Sequence, residues 1–155
     1  MAKLSVAIIG GGPIGVECAL RAAAQGYSVR VYEAEEPGAF MRRWGHVRFF
    51  SPWELNRSLE GEKLLKERGV ELAKSDEYPY GRQFLEEYLL HLVEGLREDG
   101  VEFFTQTRVR EVSRRDALKG DFIGNRRRGE SPFVLWVDGP EGERFDEAQV
   151  VIDAS

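Results

Sequence analysis

The order of apolar and polar positions at the start of the chain predicts a strand, a helix and a second strand. The apolar run Val6–Ile9 is typical of a strand buried on both faces, as in a parallel sheet. Apolar residues then recur at helical spacing from Pro13 to Gln25, and Gly26 provides a stop. A second strand, Ser28–Tyr32, follows and places Glu33 at its carboxyl end.

The middle of the chain is predicted to be mainly helical. Short helices are expected over Trp53–Leu59 and Glu62–Arg68. A longer helix is expected over Arg82–Asp99, because its apolar residues recur three and four positions apart and Gly100 follows. A third strand over 101–104 would be parallel to the first two, because a helix connects it to them.

After residue 104 the alternation of strand and helix gives way to a predicted antiparallel meander. Its strands are expected at Thr107–Arg114, Phe133–Val137 and Glu143–Phe145, before a last buried strand at 149–152. The sequence therefore predicts a parallel sheet of strands near 4–9, 28–33, 101–104 and 149–152. The first strand would lie centrally, with the glycine helix on one face and the meander on the other.

A glycine motif lies between the first strand and the first helix. Gly10, Gly12 and Gly15 form G-x-G-x-x-G, and Glu33 follows Gly15 at the spacing found in dinucleotide sites. Gly10 would permit a tight turn, Gly12 would let a pyrophosphate approach the backbone, and Gly15 would let helix and sheet pack closely. Pro13 suits a first helical turn, whose free N–H groups attract an anion. An ordinary strand–turn–helix without a ligand is the alternative interpretation.

The segment from Phe40 to Trp53 is dense in aromatic and basic residues, with five aromatic side chains, three arginines and His46. One interpretation is an amphipathic loop that covers the core. The favoured interpretation is a cofactor loop, with arginine near phosphate and aromatics beside a flat ring. His46 alone gives no evidence of catalysis, and the adjacent Glu86 and Glu87 read as a solvated helix face.

Composition excludes several classes of protein. The chain has 155 residues, 42% of them hydrophobic and 32% charged, as in one compact globular domain. A formal charge of −5 argues against nucleic acid or an anionic membrane as partner. The single cysteine, Cys18, excludes a disulfide within the chain and favours a cytoplasmic protein. No metal site is predicted.

With these motifs the chain resembles the FAD-binding domain of two-dinucleotide-binding-domain flavoproteins, including glutathione-reductase-like enzymes and flavin-containing monooxygenases. The resemblance covers the whole chain and implies an α/β fold, a Rossmann-like three-layer FAD/NAD(P)-binding domain. Glycines of the motif would face the FAD pyrophosphate, and Glu33 would bind its ribose. The cofactor-binding residues implied are Gly10, Gly12, Pro13, Ile14, Gly15, Glu33, Ala34, Arg42, Trp44, Val109 and Ala154.

The chain departs from this family at two places. It lacks the Cys-x4-Cys pair of the disulfide reductases, which excludes a dithiol mechanism within these residues. It also stops at Asp153-Ala154-Ser155, one residue short of the family's glycine. We therefore expect 1–155 to be one FAD/NAD(P)-binding domain from the amino-terminal part of a longer protein, without the NAD(P)H-binding and carboxyl-terminal parts.

The leading functional hypothesis is the FAD-binding portion of an NAD(P)H-dependent flavoprotein oxidoreductase, inactive on its own and of monooxygenase-like type. Hydride would pass from NAD(P)H to flavin and on to oxygen or a small-molecule acceptor. The alternatives are an NAD-binding dehydrogenase domain and a non-catalytic nucleotide-binding module. Exposure of Phe49, Phe50 or Trp53 would favour self-association.

Overall fold

The computed structural model describes residues 3–155, which form two sheets and a set of helices. The strands are β1 (Ser5–Ile9), β2 (Ser28–Tyr32), β3 (Glu102–Phe104), β4 (Arg108–Arg114), β5 (Phe133–Gly139), β6 (Gly142–Ala148) and β7 (Val150–Asp153). The helices are α1 (Pro13–Ala24), α2 (Ala39–Arg43), α3 (Trp53–Asn56), α4 (Leu59–Glu67), α5 (Gly81–Phe84) and α6 (Leu90–Glu98). A π-helical turn, Leu85–Leu89, joins α5 to α6, and a short 3-10 helix covers Arg126–Gly129.

The larger sheet is parallel and has the strand order β3-β2-β1-β7. The predicted central position of the first strand is therefore confirmed. The carboxyl ends of β1, β2 and β7 lie at one edge, because Ile9 is in register with Tyr32 and Asp153. The loops that follow these strands consequently meet at that edge.

The two faces of the parallel sheet belong to two separate apolar cores. Val6 and Ile8 of β1 pack with the helices, whereas Ala7 and Ile9 pack with β5 and β6 of the meander. Strand geometry gives this division, because successive side chains point to opposite faces. The predicted three-layer arrangement of helices, parallel sheet and antiparallel meander in the order β4-β5-β6 is confirmed.

The helix predicted from Glu62 instead begins at Leu59, and the preceding helix ends at Asn56. Ser58 starts α4, since its hydroxyl oxygen accepts a hydrogen bond from the N–H of Gly61 at 2.9 Å. A serine in this position satisfies one of the free N–H groups of the first turn. The sequence prediction of both boundaries was wrong because Gly61 reads as a helix breaker.

The long helix begins at Gly81 rather than Arg82 and contains a turn that the apolar spacing does not predict. Within Leu85–Leu89 the hydrogen bonds widen to the π pattern, and the N–H of Leu90 donates to the carbonyl oxygen of Leu85. Among the described residues, no helix combines the length and the apolarity needed to span a membrane.

The last strand of the meander is longer than predicted and covers Gly142–Ala148 instead of Glu143–Phe145. Its charged residues obscure the strand pattern because some of them point inward. Arg144 and Asp146 form an ion pair between the sheets, with 3.1 Å between Nε and Oδ2. The hydroxyl of Tyr32 on β2 donates to the same Asp146 oxygen at 3.0 Å.

Candidate functional site

A cavity of about 870 Å³ opens at the edge where β1 and β2 end. Its walls are the glycine loop (Gly10–Gly12), the residues after β2, the start of α2, strand β4 and residues 153–155. Ligands of open α/β sheets bind at the carboxyl ends of the strands, so the cavity has the position expected for a cofactor site. The predicted site residues that line it are Gly10, Gly12, Pro13, Glu33, Ala34, Trp44, Val109 and Ala154.

Three predicted site residues lie outside this lining. Ile14 is 67% exposed on the outer side of α1, next to a smaller groove that Cys18 also lines. Gly15 is buried in the first turn of α1, where the helix packs against the turn after β1. Arg42 is exposed on α2, whereas its neighbour Met41 is buried and lines the cavity. Their roles toward a cofactor remain predictions.

The glycines of the motif differ in what surrounds them. Gly10 has a φ of +101°, and a Cβ there would lie 2.6 Å from the carbonyl oxygen of Ala154. A Cβ at Gly15 would overlap the carbonyl oxygen of Gly10. A Cβ at Gly12 would have no atom of the described residues within 4 Å, because this position faces the cavity. The fold itself requires glycine at 10 and 15 and leaves the space over Gly12 open to the cavity.

The amino end of α1 provides positive potential beside Gly12. Gly12 is the cap residue and Pro13 the first residue of the helix, and no side chain of the described residues caps this end. The first-turn N–H groups therefore have no partner within the helix, and the helix dipole adds partial positive charge. An anionic group such as a pyrophosphate is suited to this place.

Glu33 connects the glycine loop to the end of β2. Its Oε2 accepts a hydrogen bond from the N–H of Gly11 at 2.6 Å, and its Oε1 accepts one from the N–H of Glu35 at 2.8 Å. Each carboxylate oxygen has a further lone pair, so a ribose diol can still donate to it. The spacing of Glu33 from Gly15 does not predict the bond to Gly11, because spacing alone does not reveal that the acid folds back onto the loop.

The opposite wall comes from the segment Gly38–Trp44. The N–H of Gly38 donates to the carbonyl oxygen of Gly11 at 3.0 Å and joins this wall to the glycine loop. Phe40, Met41 and Trp44 line the cavity. Phe40 is 69% exposed, and the guanidinium of Arg43 lies 5.6 Å from the centre of its ring.

Strand β4 forms a third wall through its amino-terminal half. The N–H of Thr107 donates to the carbonyl oxygen of Glu33 at 2.8 Å, which places the strand beside the acid. Val109 lines the cavity, and the register of β4 against β5 shifts between Val109 and Glu111. Val109 is still opposite Val137 in this register, and the residue that the shift leaves without a ladder partner is Arg110, which also lines the cavity.

The floor of the cavity includes Tyr32, whose ring stacks on Phe104 with 5.2 Å between centres. Burial raises the pKa of the Tyr32 phenol far above its ordinary value, so the hydroxyl stays protonated. At the rim, the N–H of Ser155 donates to a carboxylate oxygen of Asp153 at 3.1 Å and lowers the pKa of that carboxyl. Within residues 3–155, no group of three or more His, Cys, Asp or Glu side chains is arranged to hold a metal ion.

The aromatic segment divides between the cavity and the core. Trp53 is 2% exposed and stacks on Phe84 with 5.9 Å between ring centres. Phe49 is half-buried between Trp44 and Phe84. Of the three aromatic residues named as alternatives for exposure, Trp53 is not exposed, because it fills the core beside the long helix. Phe50, 98% exposed, is the residue of the three whose expected exposure is confirmed.

The model of one protein family, described as pyridine nucleotide-disulphide oxidoreductase, matches residues 7–139. The chain belongs to this family. Its members are FAD-dependent oxidoreductases, and the match includes the glycine motif, Glu33 and the first two strands of the meander. No match was found among curated proteins.

Solved structures of flavoproteins share the fold of this chain. A bacillithiol disulfide reductase from Bacillus cereus superimposes with a TM-score of 0.66 at 21% identity, covering 97% of this chain and 39% of its own. An oxidized steroid monooxygenase bound to NADP gives 0.65 at 20% identity, covering 99% and 26%. A flavin-dependent halogenase gives 0.60 at 22% identity, covering 97% and 29%. This chain therefore spans less than half the length of these three proteins.

Proposed function

We propose that this chain is the FAD-binding portion of an NAD(P)H-dependent flavoprotein oxidoreductase. The open space over Gly12, at the amino end of α1 and in the same cavity as Glu33, is the observation that carries the proposal. No contact with residues 3–155 accounts for a missing side chain at this position, whereas a bound pyrophosphate would. FAD, when bound, supplies the hydride and electron transfer of the whole enzyme.

The residues of the chain have binding and orienting roles in this proposal. Gly12 and the amino end of α1 hold the pyrophosphate, and Glu33 accepts hydrogen bonds from the adenosine ribose. The backbone at Val109 contacts the adenine, and Trp44 lies along the cofactor. The remaining predicted contacts are Gly10, Pro13, Ile14, Gly15, Ala34, Arg42 and Ala154.

The proposed acceptor is oxygen or a small molecule, as in the monooxygenase-like members of the group. Reduction of a disulfide by a flavoprotein through a dithiol relay needs two neighbouring cysteines, and these 155 residues contain only Cys18. Cys18 lies on α1 and does not line the cavity. We further propose a cytoplasmic location, and self-association of the chain through Phe50.

NAD bound in the same cavity is a second candidate. Glu33 and the glycine loop recognise an adenosine diphosphate, and FAD and NAD share this group. The alternatives are then an NAD-binding dehydrogenase domain and a nucleotide-binding module without turnover. Recognition of the flavin half of FAD is what distinguishes the leading proposal from these alternatives.

Calorimetry on the purified chain with FAD, NAD⁺ and ADP tests the proposal. We expect FAD to bind more tightly than ADP or NAD⁺, and the protein to acquire flavin absorbance. Glu33→Ala should weaken FAD and ADP alike by about 1.5–3 kcal/mol, because it removes charge-assisted hydrogen bonds to the ribose. Tighter binding of NAD⁺ than of FAD would favour the dehydrogenase alternative, and no binding of any of the three would reject the site.

A further inference from the structure

The contact between Gly38 and the long helix is closer than a side chain at this position would allow. Gly38 has a φ of +70°, and a Cβ there would overlap Cδ1 of Leu85 and lie 3.1 Å from Cδ2 of Leu89. Both leucines are almost fully buried, at 1% and 0% exposure. Gly38 itself lines the cavity and donates its N–H to Gly11 of the glycine loop at 3.0 Å. One small residue therefore lies between the helix and the glycine loop.

The two leucines that meet Gly38 begin and end the π-helical turn. A π turn is wider than an α turn and rotates less per residue, so residues four apart in it lie closer to one line along the helix. Leu85 and Leu89 can therefore both contact the same residue of the cavity wall. Single π turns inside α-helices are rare and occur often at functional sites.

A second close contact joins the same wall to the same helix one turn earlier. A Cβ at Gly81, the first residue of α5, would lie 2.6 Å from Cζ3 of Trp44. Trp44 also lines the cavity, at the other end of the segment that starts at Gly38. The helix thus supports both ends of this wall through contacts that only glycine permits.

We propose that Leu85 and Leu89 of the π turn are positioning residues for the dinucleotide. They contact Gly38 and thereby keep the wall Gly38–Trp44 at the distance from the glycine loop that the ligand needs. The inference rests on the proposed function, because it concerns the same cavity and names what sets its width. Neither leucine lines the cavity, so their effect on binding passes through Gly38.

Gly38→Ala tests this contact, with Gly69→Ala as the matched control. Gly69 has nearly the same φ, +73°, but no atom of the described residues would lie within 4 Å of its Cβ. Both variants therefore place alanine at a similar positive φ, and only Gly38→Ala displaces the wall. We expect Gly38→Ala to lower FAD affinity at least about tenfold, and Gly69→Ala to change it less than about twofold. Adding Leu85→Ala to Gly38→Ala should restore much of the affinity, although it lowers stability further.

A second pair of variants keeps the test decisive if Gly38→Ala does not fold. Leu85→Ala and Leu92→Ala each remove a fully buried leucine from the same long helix. We expect similar losses of stability from both, and a loss of FAD affinity at least about fivefold greater for Leu85→Ala. If the unchanged chain binds FAD, and Gly38→Ala binds it as tightly as Gly69→Ala and Leu85→Ala as tightly as Leu92→Ala, this inference is overturned while the proposed function stands. Absence of FAD binding by the unchanged chain would overturn the proposed function as well.

Discussion

At the scale of single residues, the glycines of the motif are needed for different physical reasons. Gly10 requires a positive φ and Gly15 a close approach of backbone to backbone, so the fold determines both. Gly12 has a φ of −78° and open space beside it, so the fold accepts any small residue there. The sequence motif looks uniform, whereas its parts separate into two structural positions and one that faces the cavity.

Alanine at Gly12 and at Gly15 should therefore have opposite effects. Gly12→Ala should change the free energy of unfolding by less than about 1 kcal/mol, because alanine restricts the unfolded chain but is a poorer cap residue than glycine. It should nevertheless weaken FAD binding, since its methyl group fills space that the pyrophosphate needs. Gly15→Ala should lower the free energy of unfolding by about 1–3 kcal/mol, because its methyl group overlaps the backbone at Gly10.

Urea denaturation and calorimetry with FAD on the two variants separate these effects, and each variant serves as the other's control. Normal FAD affinity in a folded Gly12→Ala variant would contradict the assignment of this position to the pyrophosphate. A fully stable Gly15→Ala variant would contradict the backbone contact.

At the scale of elements, the position of helix α4 depends on contacts with α1 and with the long helix. Ser58 caps its amino end, and the N–H of Ser58 donates to the hydroxyl oxygen of Tyr88 at 3.0 Å. That hydroxyl donates in turn to Glu17 on α1 at 2.8 Å. A Cβ at Gly61, in the first turn of α4, would overlap the same hydroxyl. Tyr88 thus fixes α4 against α1 and the long helix.

Removal of the cap by Ser58→Ala should lower the free energy of unfolding by about 0.5–2 kcal/mol. The N–H of Gly61 would lose its partner, whereas the backbone bond from Ser58 to Tyr88 would remain. Since α4 does not line the cavity, FAD affinity should stay unchanged. Ser75→Ala, at an exposed position, is the control in the same urea titration. A stability equal to that of the control would mean that the cap contributes nothing.

The elements with local sequence signals could be predicted from the sequence, whereas features that depend on distant residues could not. The run Val6–Ile9, the glycine turn and Glu33 follow one another within 33 residues, and the structure arranges them as their order implies. Gly61 reads as a helix breaker until Tyr88 explains why a glycine is needed inside α4. Tyr88 lies 27 residues later in the chain, so no local pattern relates the two.

In the candidate site, too, features with a local sequence signal could be predicted, whereas contacts between distant residues could not. The glycine loop and Glu33 are recognisable by spacing, whereas the bond between Glu33 and Gly11 and the contact of Gly38 with Leu85 require the folded chain. Aromatic residues were the least predictable. Trp44 and Trp53 lie in one dense segment, yet the first lines the cavity and the second fills the core.

At the scale of the whole molecule, the parallel sheet separates two cores, and each contains a buried tyrosine near a carboxylate. Tyr88 lies among the helices beside Glu17, and Tyr32 lies next to the meander beside Asp146. Burial is the main cause of the raised pKa of both phenols. The folded protein therefore holds these protons more tightly than the unfolded chain does.

Stability should consequently decrease in alkaline solution. Burial raises the pKa of Tyr88 from 10.0 to about 12, so between these values the unfolded chain loses a proton that the folded protein keeps. One such proton lowers the free energy of unfolding by up to about 1.4 kcal/mol per pH unit over that interval. Tyr88→Phe should be less stable at pH 8 and should show a smaller decrease between pH 10 and 12. Tyr78→Phe, at an exposed ring, is the control, and an equal decrease in both variants would contradict the role of Tyr88.

The 155-residue chain on its own should not transfer electrons from a nicotinamide donor to bound FAD. The sequence holds one G-x-G-x-x-G motif, Gly10–Gly15, and in our proposal FAD occupies the cavity beside it. A nicotinamide donor would then need a second site from which its ring reaches the flavin. We expect NADH or NADPH, mixed with the FAD-loaded chain without air, to bleach the flavin no faster than it bleaches free FAD. Dithionite should bleach the same sample fully and show that the bound flavin can be reduced. Rapid stoichiometric bleaching by NAD(P)H would instead mean that the donor site lies within these residues, and the smaller groove beside Ile14 and Cys18 would be the first place to look for it.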